Sequence, residues 1–174
     1  MCSSDLTLGN EAPAWYRDRA LAGGGIAMIG MIHAIDRLRW LLQAEVTEVI
    51  ARTRPPASSG EVEETALVIL SFANGTQASL VAHRSPVAGH ERSHRYAILG
   101  RKLNAYGSVG SFSRQELEFF GPGGGGRMAV TDDRPFVTEV REFLAALAAG
   151  RAASPELFEA EVALGVVLAI YESE

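Results

Sequence analysis

Apolar residues in the first quarter of the chain recur with a helical period. Over residues 26–42 most of them are three or four positions apart, as Ile26 and Ile29 are, and Ile35 and Leu38. His33 lies on the same apolar stripe. This spacing predicts an amphipathic α-helix. Because charged residues enter only its second half, we expect the first half of the helix to be buried.

The middle of the chain changes to a period of two, which is typical of β-strands. Apolar runs at residues 65–72 and 76–81 flank Ala73-Asn74-Gly75, and an Asn-Gly pair between two such runs indicates a β-hairpin. Other strands are predicted at residues 46–53, 95–99, 103–106 and 116–120. The glycine-rich residues 121–126 are interpreted as a flexible connection.

Two helices are predicted to close the chain, at residues 136–149 and 155–172. Ser154 is the expected N-cap of the second helix, with Pro155 in its first turn.

One helix, a run of strands and two closing helices predict an α+β fold, with helices packed on one face of an open, mainly antiparallel sheet. The other face would need cover, which favours a homo-oligomer formed through it. Residues 1–11 show no periodicity and are interpreted as an unstructured lead-in, so the domain is expected over residues 12–174.

Composition narrows the class of protein further. A chain of 174 residues suits one domain, and its net charge of −5 leaves no basic surplus for nucleic acid. Cys2 is the single cysteine and cannot form an internal disulfide, so a cytoplasmic setting is expected. No secretory signal is visible, and the longest apolar run, residues 162–171, is about half of a membrane span, so we expect no membrane partner.

Several short motifs together resemble one enzyme family. Trp15-Tyr16-Arg17-Asp18 precedes Gly23-Gly24-Gly25, and His33-Ala34-Ile35-Asp36 follows the glycines. Later pieces agree in order and spacing: Phe72-Ala73-Asn74-Gly75, Ile98-Leu99-Gly100, Pro135-Phe136 and Tyr171-Glu172-Ser173. The chain resembles the C-terminal domain of the Gfo/Idh/MocA family, which is named for glucose-fructose oxidoreductase and inositol dehydrogenase.

The resemblance implies an NAD- or NADP-dependent oxidoreductase that acts on a sugar, a polyol or a related hydroxy compound. Such enzymes hold the cofactor in an N-terminal Rossmann domain, and no Gly-x-Gly-x-x-Gly opens a strand–turn–helix unit in this sequence. No Glu-Lys-Pro segment supplies the lysine that the family uses. We therefore expect a fragment that neither binds the cofactor nor turns over substrate alone.

The resemblance also suggests site residues. His33 looks equivalent to the family's active-site histidine, and an imidazole titrates near neutral pH as acid–base chemistry on a hydroxyl requires. From the residues alone, a buried core histidine is the other interpretation. Trp15 and Arg17 are candidate substrate-binding residues, because an aromatic face packs on sugar C–H groups and a guanidinium donates several hydrogen bonds. Packing and solvation of the helix surface are their alternative roles.

The chain departs from the family pattern near the histidine. Ile29 stands where an aspartate is usual one helical turn earlier, and Met31 replaces a common glycine. Isoleucine can neither accept a proton nor orient an imidazole. Asp36, one turn later, could orient His33 instead. A non-catalytic ligand-binding or dimerisation module with a degenerate site is therefore the alternative function.

Two weaker interpretations concern the remaining histidines and arginines. A metal site would draw on His83, His90 and His94, but their segment is predicted as loop and strand with no cysteine nearby, so no metal is expected. An independent carbohydrate- or anion-binding domain would use Trp15, Arg17, Arg84, Arg92 and Arg95.

Overall fold

Eight strands form one open sheet in the computed structural model, which describes residues 1–8, 13–54, 61–85, 93–109, 114–131 and 135–173. The strands are β1 (Cys2–Leu8), β2 (Val46–Arg54), β3 (Thr65–Phe72), β4 (Gln77–Arg84), β5 (Ser93–Leu99), β6 (Asn104–Val109), β7 (Arg114–Gly121) and β8 (Gly124–Thr131). Their order across the sheet is β2-β3-β4-β1-β5-β6-β7-β8. Only the β1–β4 pair is parallel, and the other pairs are antiparallel.

A long helical stretch precedes the sheet's first hairpin. A 3₁₀ turn (Ala14–Arg17) and a single α-helical turn, α1 (Arg19–Ala22), come first. A π-helical segment (Ala27–Met31) then continues directly into α2 (Ile32–Leu42), which confirms the helix predicted over residues 26–42. Two helices follow the sheet, α3 (Pro135–Ala148) and α4 (Leu157–Glu172).

The hydrophobic core lies between the helical stretch of residues 26–42 and α4 on one side and one face of β1–β4 on the other. Alternate side chains of β3 and β4 are buried against α2 and α4, as the period of two requires. The core consists of large side chains from the helices and mostly smaller ones from the strands: Ile26, Met31, Ile35, Leu38, Val167 and Ile170 against Ala51, Ala66, Val68, Leu70, Ala78, Leu80 and Ala82. The predicted α+β architecture, with helices on one face of an open sheet, is therefore confirmed.

The expectation of an unstructured lead-in is wrong for Cys2–Leu8. These residues form β1, which lies inside the sheet between β4 and β5 and is held by backbone hydrogen bonds on both sides. Cys2 is buried in the core rather than placed in a loose tail, and burial raises the pKa of its thiol. The polar sequence of this strand hid it, because backbone pairing requires no apolar side chain.

Two details of the C-terminal half also differ from expectation. Residues 121–126 are not a flexible connection: Gly121 ends β7 and residues 124–126 begin β8, so that Pro122-Gly123 alone forms the turn. Helix α4 begins at Leu157 with Glu156 as its N-cap, and neither Ser154 nor Pro155 has the predicted capping role.

Arg39 joins α2 to α4 and to the start of β2. It is almost fully buried, and its guanidinium binds both carboxylate oxygens of Glu45 at 2.7 and 2.9 Å and the Glu159 carboxylate at 3.1 Å. Hydrogen bonds from Arg39 hold the pKa of Glu45 below its ordinary value. This guanidinium is therefore saturated by structural partners.

One helical stretch, Arg19–Leu42, has the length and apolar composition of a membrane span, with a mean hydropathy of 1.2. Half of the residues that give this hydropathy are buried within the fold, as expected for the core helix of a globular domain. The stretch therefore gives only weak support to a membrane span.

Candidate functional site

Glu63 anchors the beginning of the helix that carries His33. Its buried carboxylate accepts hydrogen bonds from the backbone N–H of Gly25 at 2.9 and 3.0 Å and of Ala27 at 3.0 Å. The Tyr171 hydroxyl is a third donor to this carboxylate, at 2.8 Å. A carboxylate is stabilised at a helix N-terminus because the first N–H groups have no partner within the helix. Glu63 thereby connects the helix to β3 and to α4.

The glycine triplet makes this arrangement possible. Gly23 adopts a left-handed conformation, with φ of 75°, and ends α1. A Cβ on Gly25 would collide with the backbone carbonyl oxygen of Glu63. Burial raises the pKa of Tyr171 above its ordinary value, and the neighbouring Glu63 carboxylate raises it further, so this hydroxyl stays protonated and donates.

His33 lies near the start of α2 and is exposed. Among the described residues nothing forms a hydrogen bond with its ring. The interpretation of His33 as a core histidine is therefore wrong. Ile29 lies one turn earlier, half-buried in the π-helical segment. Asp36 forms no hydrogen bond with His33 within the described residues, and its carboxylate lies 3.7 Å from Nη1 of Arg39.

Trp15 and Arg17 lie in the 3₁₀ turn, before the glycine triplet. The Trp15 ring packs edge-on against Tyr16 and is about half exposed. Arg17 is half-buried, and its backbone carbonyl accepts a hydrogen bond from the N–H of Glu61 at 3.1 Å. Substrate binding by either side chain stays a prediction.

A polar cluster beside His33 was not predicted as a unit. Arg37, one turn after His33, contacts Nδ1 of the buried His94 on β5 at 2.5 Å. The other ring nitrogen, Nε2, lies 2.5 Å from Oγ of Ser4 on β1. The Arg37 guanidinium also lies 5.7 Å from the centre of the Tyr96 ring. The only sequence signals were the helical spacing of His33 and Arg37 and the presence of His94 among the candidate metal ligands.

Burial, followed by the nearby charges of Arg37 and His33, lowers the pKa of His94 to about 4. His94 is therefore neutral at physiological pH. Arg37, one helical turn after His33, links the helix of His33 to His94 through its contact with the His94 ring.

Comparison with known proteins identifies the fold. The family model for the GFO/IDH/MocA C-terminal domain matches residues 2–113. The chain belongs to the GFO/IDH/MocA family. The oxidoreductase YrbE of Bacillus subtilis (strain 168) is 33% identical over 93 residues, which are 51% of this chain and 26% of that protein.

Solved structures of GFO/IDH/MocA type have the same fold. An aldose-aldose oxidoreductase from Caulobacter crescentus, complexed with glycerol, is 23% identical with a TM-score of 0.81, covering 98% of this chain and 52% of that chain. UDP-N-acetylglucosamine 3-dehydrogenase from Acidithiobacillus ferrooxidans is 22% identical with a TM-score of 0.75, covering 99% and 53%. The chain thus spans about half the length of these enzymes, and similar structures include one in complex with NAD.

The weaker metal and anion interpretations fail on geometry within this GFO/IDH/MocA domain. His83 lies on the helix-free face of the sheet and contacts Thr65, whereas His94 lies on the helix-covered face. Arg84 is buried on the helix-covered side, and Arg95 is exposed on the opposite one. His90 and Arg92 lie outside the described residues. The described histidines, and likewise the described arginines of the sheet, therefore lie on opposite faces.

Proposed function

We propose that the full-length protein is an NAD- or NADP-dependent oxidoreductase acting on a sugar, a polyol or a related hydroxy compound, and that this chain supplies its substrate-binding and oligomerisation half. The observation that carries the proposal is the position of His33, an exposed imidazole on an otherwise core-forming helix in a GFO/IDH/MocA C-terminal domain. Oxidation of a hydroxyl requires a group that takes up its proton, and a solvent-accessible imidazole is suited to that role.

The described residues do not fit a dinucleotide cofactor. Residues 121–126 lie in a hairpin between two antiparallel strands, without the strand–turn–helix that cradles a pyrophosphate. The helix N-terminus that follows Gly23–Gly25 is already occupied by the Glu63 carboxylate. We therefore assign the cofactor to the part of the full-length protein beyond this chain. This chain would bind and orient the substrate and take up the hydroxyl proton at His33.

The apolar surface of α3 supports a larger protein. Of the side chains that the structure describes on this helix, Ala146 is buried, and the exposed ones include six large apolar side chains: Phe136, Val137, Val140, Phe143, Leu144 and Leu147. Such a contiguous apolar surface is unusual unless another domain or subunit covers it. The free Cys2 thiol is in keeping with a cytoplasmic setting.

The proposal predicts that the full-length protein reduces NAD or NADP with at least one member of a sugar and polyol panel. Replacement of His33 by alanine is expected to lower kcat/KM by about 10²- to 10⁴-fold, the usual contribution of a general acid or base. The measurement is nicotinamide absorbance under steady-state conditions. His83→Ala, at an exposed histidine on the opposite sheet face, is the matched control and should retain activity. Full activity of the His33 variant would remove His33 from the reaction.

A second candidate, a ligand-binding module with a degenerate site, is favoured by Ile29 and by the engagement of Asp36 with Arg39. His33 consequently has no carboxylate to orient it among the described residues. The variant Ile29→Asp distinguishes the two candidates. An increase in kcat would mean that the natural site is weakened, whereas absence of turnover in both forms would favour the module.

We also propose that the helix-free sheet face forms the contact between two copies of the chain. An apolar patch on β2–β4 carries Ile50, Leu67, Ile69 and Val81, which are 39–53% exposed. Beside it, a concave region of about 520 Å³ is lined by polar side chains that include Arg95, Glu116 and Glu118. An apolar patch with a polar rim is the usual composition of a protein interface.

The oligomer proposal predicts that Leu67→Asp converts the dimer to a monomer, because a carboxylate would lose its hydration at the centre of the apolar patch. Light scattering during gel filtration measures the molecular mass. Leu147→Asp, on the exposed surface of α3, is the control and should leave the dimer intact. Dissociation by the control variant alone would move the interface to α3.

A further inference from the structure

Arg37 and Arg39 lie two residues apart on α2 but have opposite surroundings. Arg39 is saturated by carboxylates, whereas none of the ion pairs formed within the described ranges involves Arg37. Arg37 is half-buried and lies against two neutral groups, the His94 ring and the Tyr96 ring. The charge of the neighbouring Asp36 acts on Arg37 but forms no ion pair with it, so no described carboxylate contacts this guanidinium.

The hydrogen bonds of His94 set its tautomer. A guanidinium only donates, so Nδ1 of His94 must be the acceptor from Arg37, and the ring proton is on Nε2. That N–H donates to Oγ of Ser4, which is also buried. These hydrogen bonds, from Arg37 to His94 and from His94 to Ser4, hold one edge of the guanidinium in place. A guanidinium has five N–H groups, so others remain for a ligand.

The cluster lies where the helical cover of the sheet ends. Helices α2 and α4 pack over β1–β4. The strand that carries His94, β5, pairs with β1 on the side away from β4. Farther along the same face, Leu117 and Phe119 on β7 are half-buried and Met128 on β8 is more than half exposed. Neither α2 nor α4 therefore covers this face beyond His94, on the side from which a small molecule would approach His33 and Arg37.

We propose that Arg37, supported by His94, binds an anionic group, a carboxylate or a phosphate, on the substrate whose hydroxyl reacts at His33. This inference rests on the proposed function. His33 and Arg37 are four residues apart in α2, so their Cβ atoms are about 6 Å apart. A sugar acid or a sugar phosphate can span that separation with its anionic group a few bonds from the reacting hydroxyl. Arginine suits both groups because its planar fork donates two parallel hydrogen bonds.

Calorimetry on the full-length protein tests the inference with D-glucuronate, D-glucose 6-phosphate and neutral D-glucose. At least one anion is expected to bind about 10-fold or more tightly than glucose, because charge-assisted hydrogen bonds contribute at least 1.4 kcal/mol. Arg37→Gln should reduce its affinity to that of glucose, and Arg37→Lys should restore part of it. Arg101→Gln, at an exposed arginine in the turn between β5 and β6, is the matched control and should bind as wild type does.

A second readout is independent of turnover. The ring signals of labelled histidines, with His94 assigned by its loss in His94→Gln, should shift on addition of the bound anion in wild type and not in Arg37→Gln. The anion that binds more tightly identifies the group as carboxylate or phosphate. Equal binding of all three sugars, absence of anion binding, or unchanged anion binding in a folded Arg37→Gln protein would overturn the inference.

These results separate the inference from the proposed function. Turnover of neutral polyols that depends on His33, without anion binding, would retain the function and remove the anion site. Anion binding that depends on Arg37, without turnover of any sugar, would retain the site and remove the function.

Discussion

Replacing Glu63 with alanine is expected to lower the free energy of unfolding by about 4 kcal/mol. The change removes a buried carboxylate that accepts hydrogen bonds from the N–H groups of Gly25 and Ala27 and from the Tyr171 hydroxyl. Two buried N–H groups at the helix N-terminus then lose their acceptor, at a cost of about 1–3 kcal/mol each. Chemical denaturation of wild type and variant, followed by circular dichroism, measures the difference.

Two further variants make this prediction specific. Glu61→Ala removes an exposed carboxylate two residues earlier, whose contact with the N–H of Arg19 is long at 3.4 Å, and should change stability by less than about 0.5 kcal/mol. Tyr171→Phe removes one donor and keeps the carboxylate in place, so a loss of about 1 kcal/mol is expected. If Glu63→Ala were as stable as Glu61→Ala, Glu63 would not anchor the His33 helix.

Acidification is expected to destabilise the protein through His94 by about 3 kcal/mol. Burial, followed by the charges of Arg37 and His33, lowers the pKa of His94 to about 4, against about 6.5 in an unfolded chain. Between these two values the unfolded state binds a proton that the folded state does not. The contribution is therefore complete above pH 6.5 and is lost as the pH falls towards 4, at about 1.4 kcal/mol per pH unit.

The variant His94→Gln isolates this effect from the titration of carboxylates such as Glu45. A glutamine amide can accept from Arg37 and donate to Ser4, and it does not titrate. Denaturation at a series of pH values should give a shallower loss for this variant between pH 6.5 and 4. His83→Gln, at an exposed histidine, should follow wild type. Parallel curves for wild type and His94→Gln would mean that His94 titrates normally.

Most helices and strands were predictable because their patterns are local. The apolar period predicted the helix of residues 26–42, and the Asn-Gly pair predicted the hairpin of β3 and β4. β1 was missed because its polar sequence has no period and its position depends on two distant strands. β8 was missed because its glycines resemble a loop, although backbone pairing with β7 makes them a strand.

The candidate site divides in the same way. His33 and Ile29 were recognised from motifs within one helix, whose spacing is visible in the sequence. The hydrogen-bond partners of Gly25 and Arg37 were not recognised, because Glu63 and His94 lie 38 and 57 residues farther along the chain. No local pattern reports such a contact.

The sequence by itself determined the fold class, the family resemblance and the identity of the exposed histidine's neighbours on α2, because these follow from residue spacing along a single element. Only the tertiary structure decided which charged groups are saturated and which histidine is buried. Arg37 and Arg39 are the same residue type on one helix. Arg39 contacts carboxylates on α4 and just before β2, whereas Arg37 contacts a neutral ring on β5. Charge and protonation depend on neighbours in space, and the fold alone brings those neighbours together.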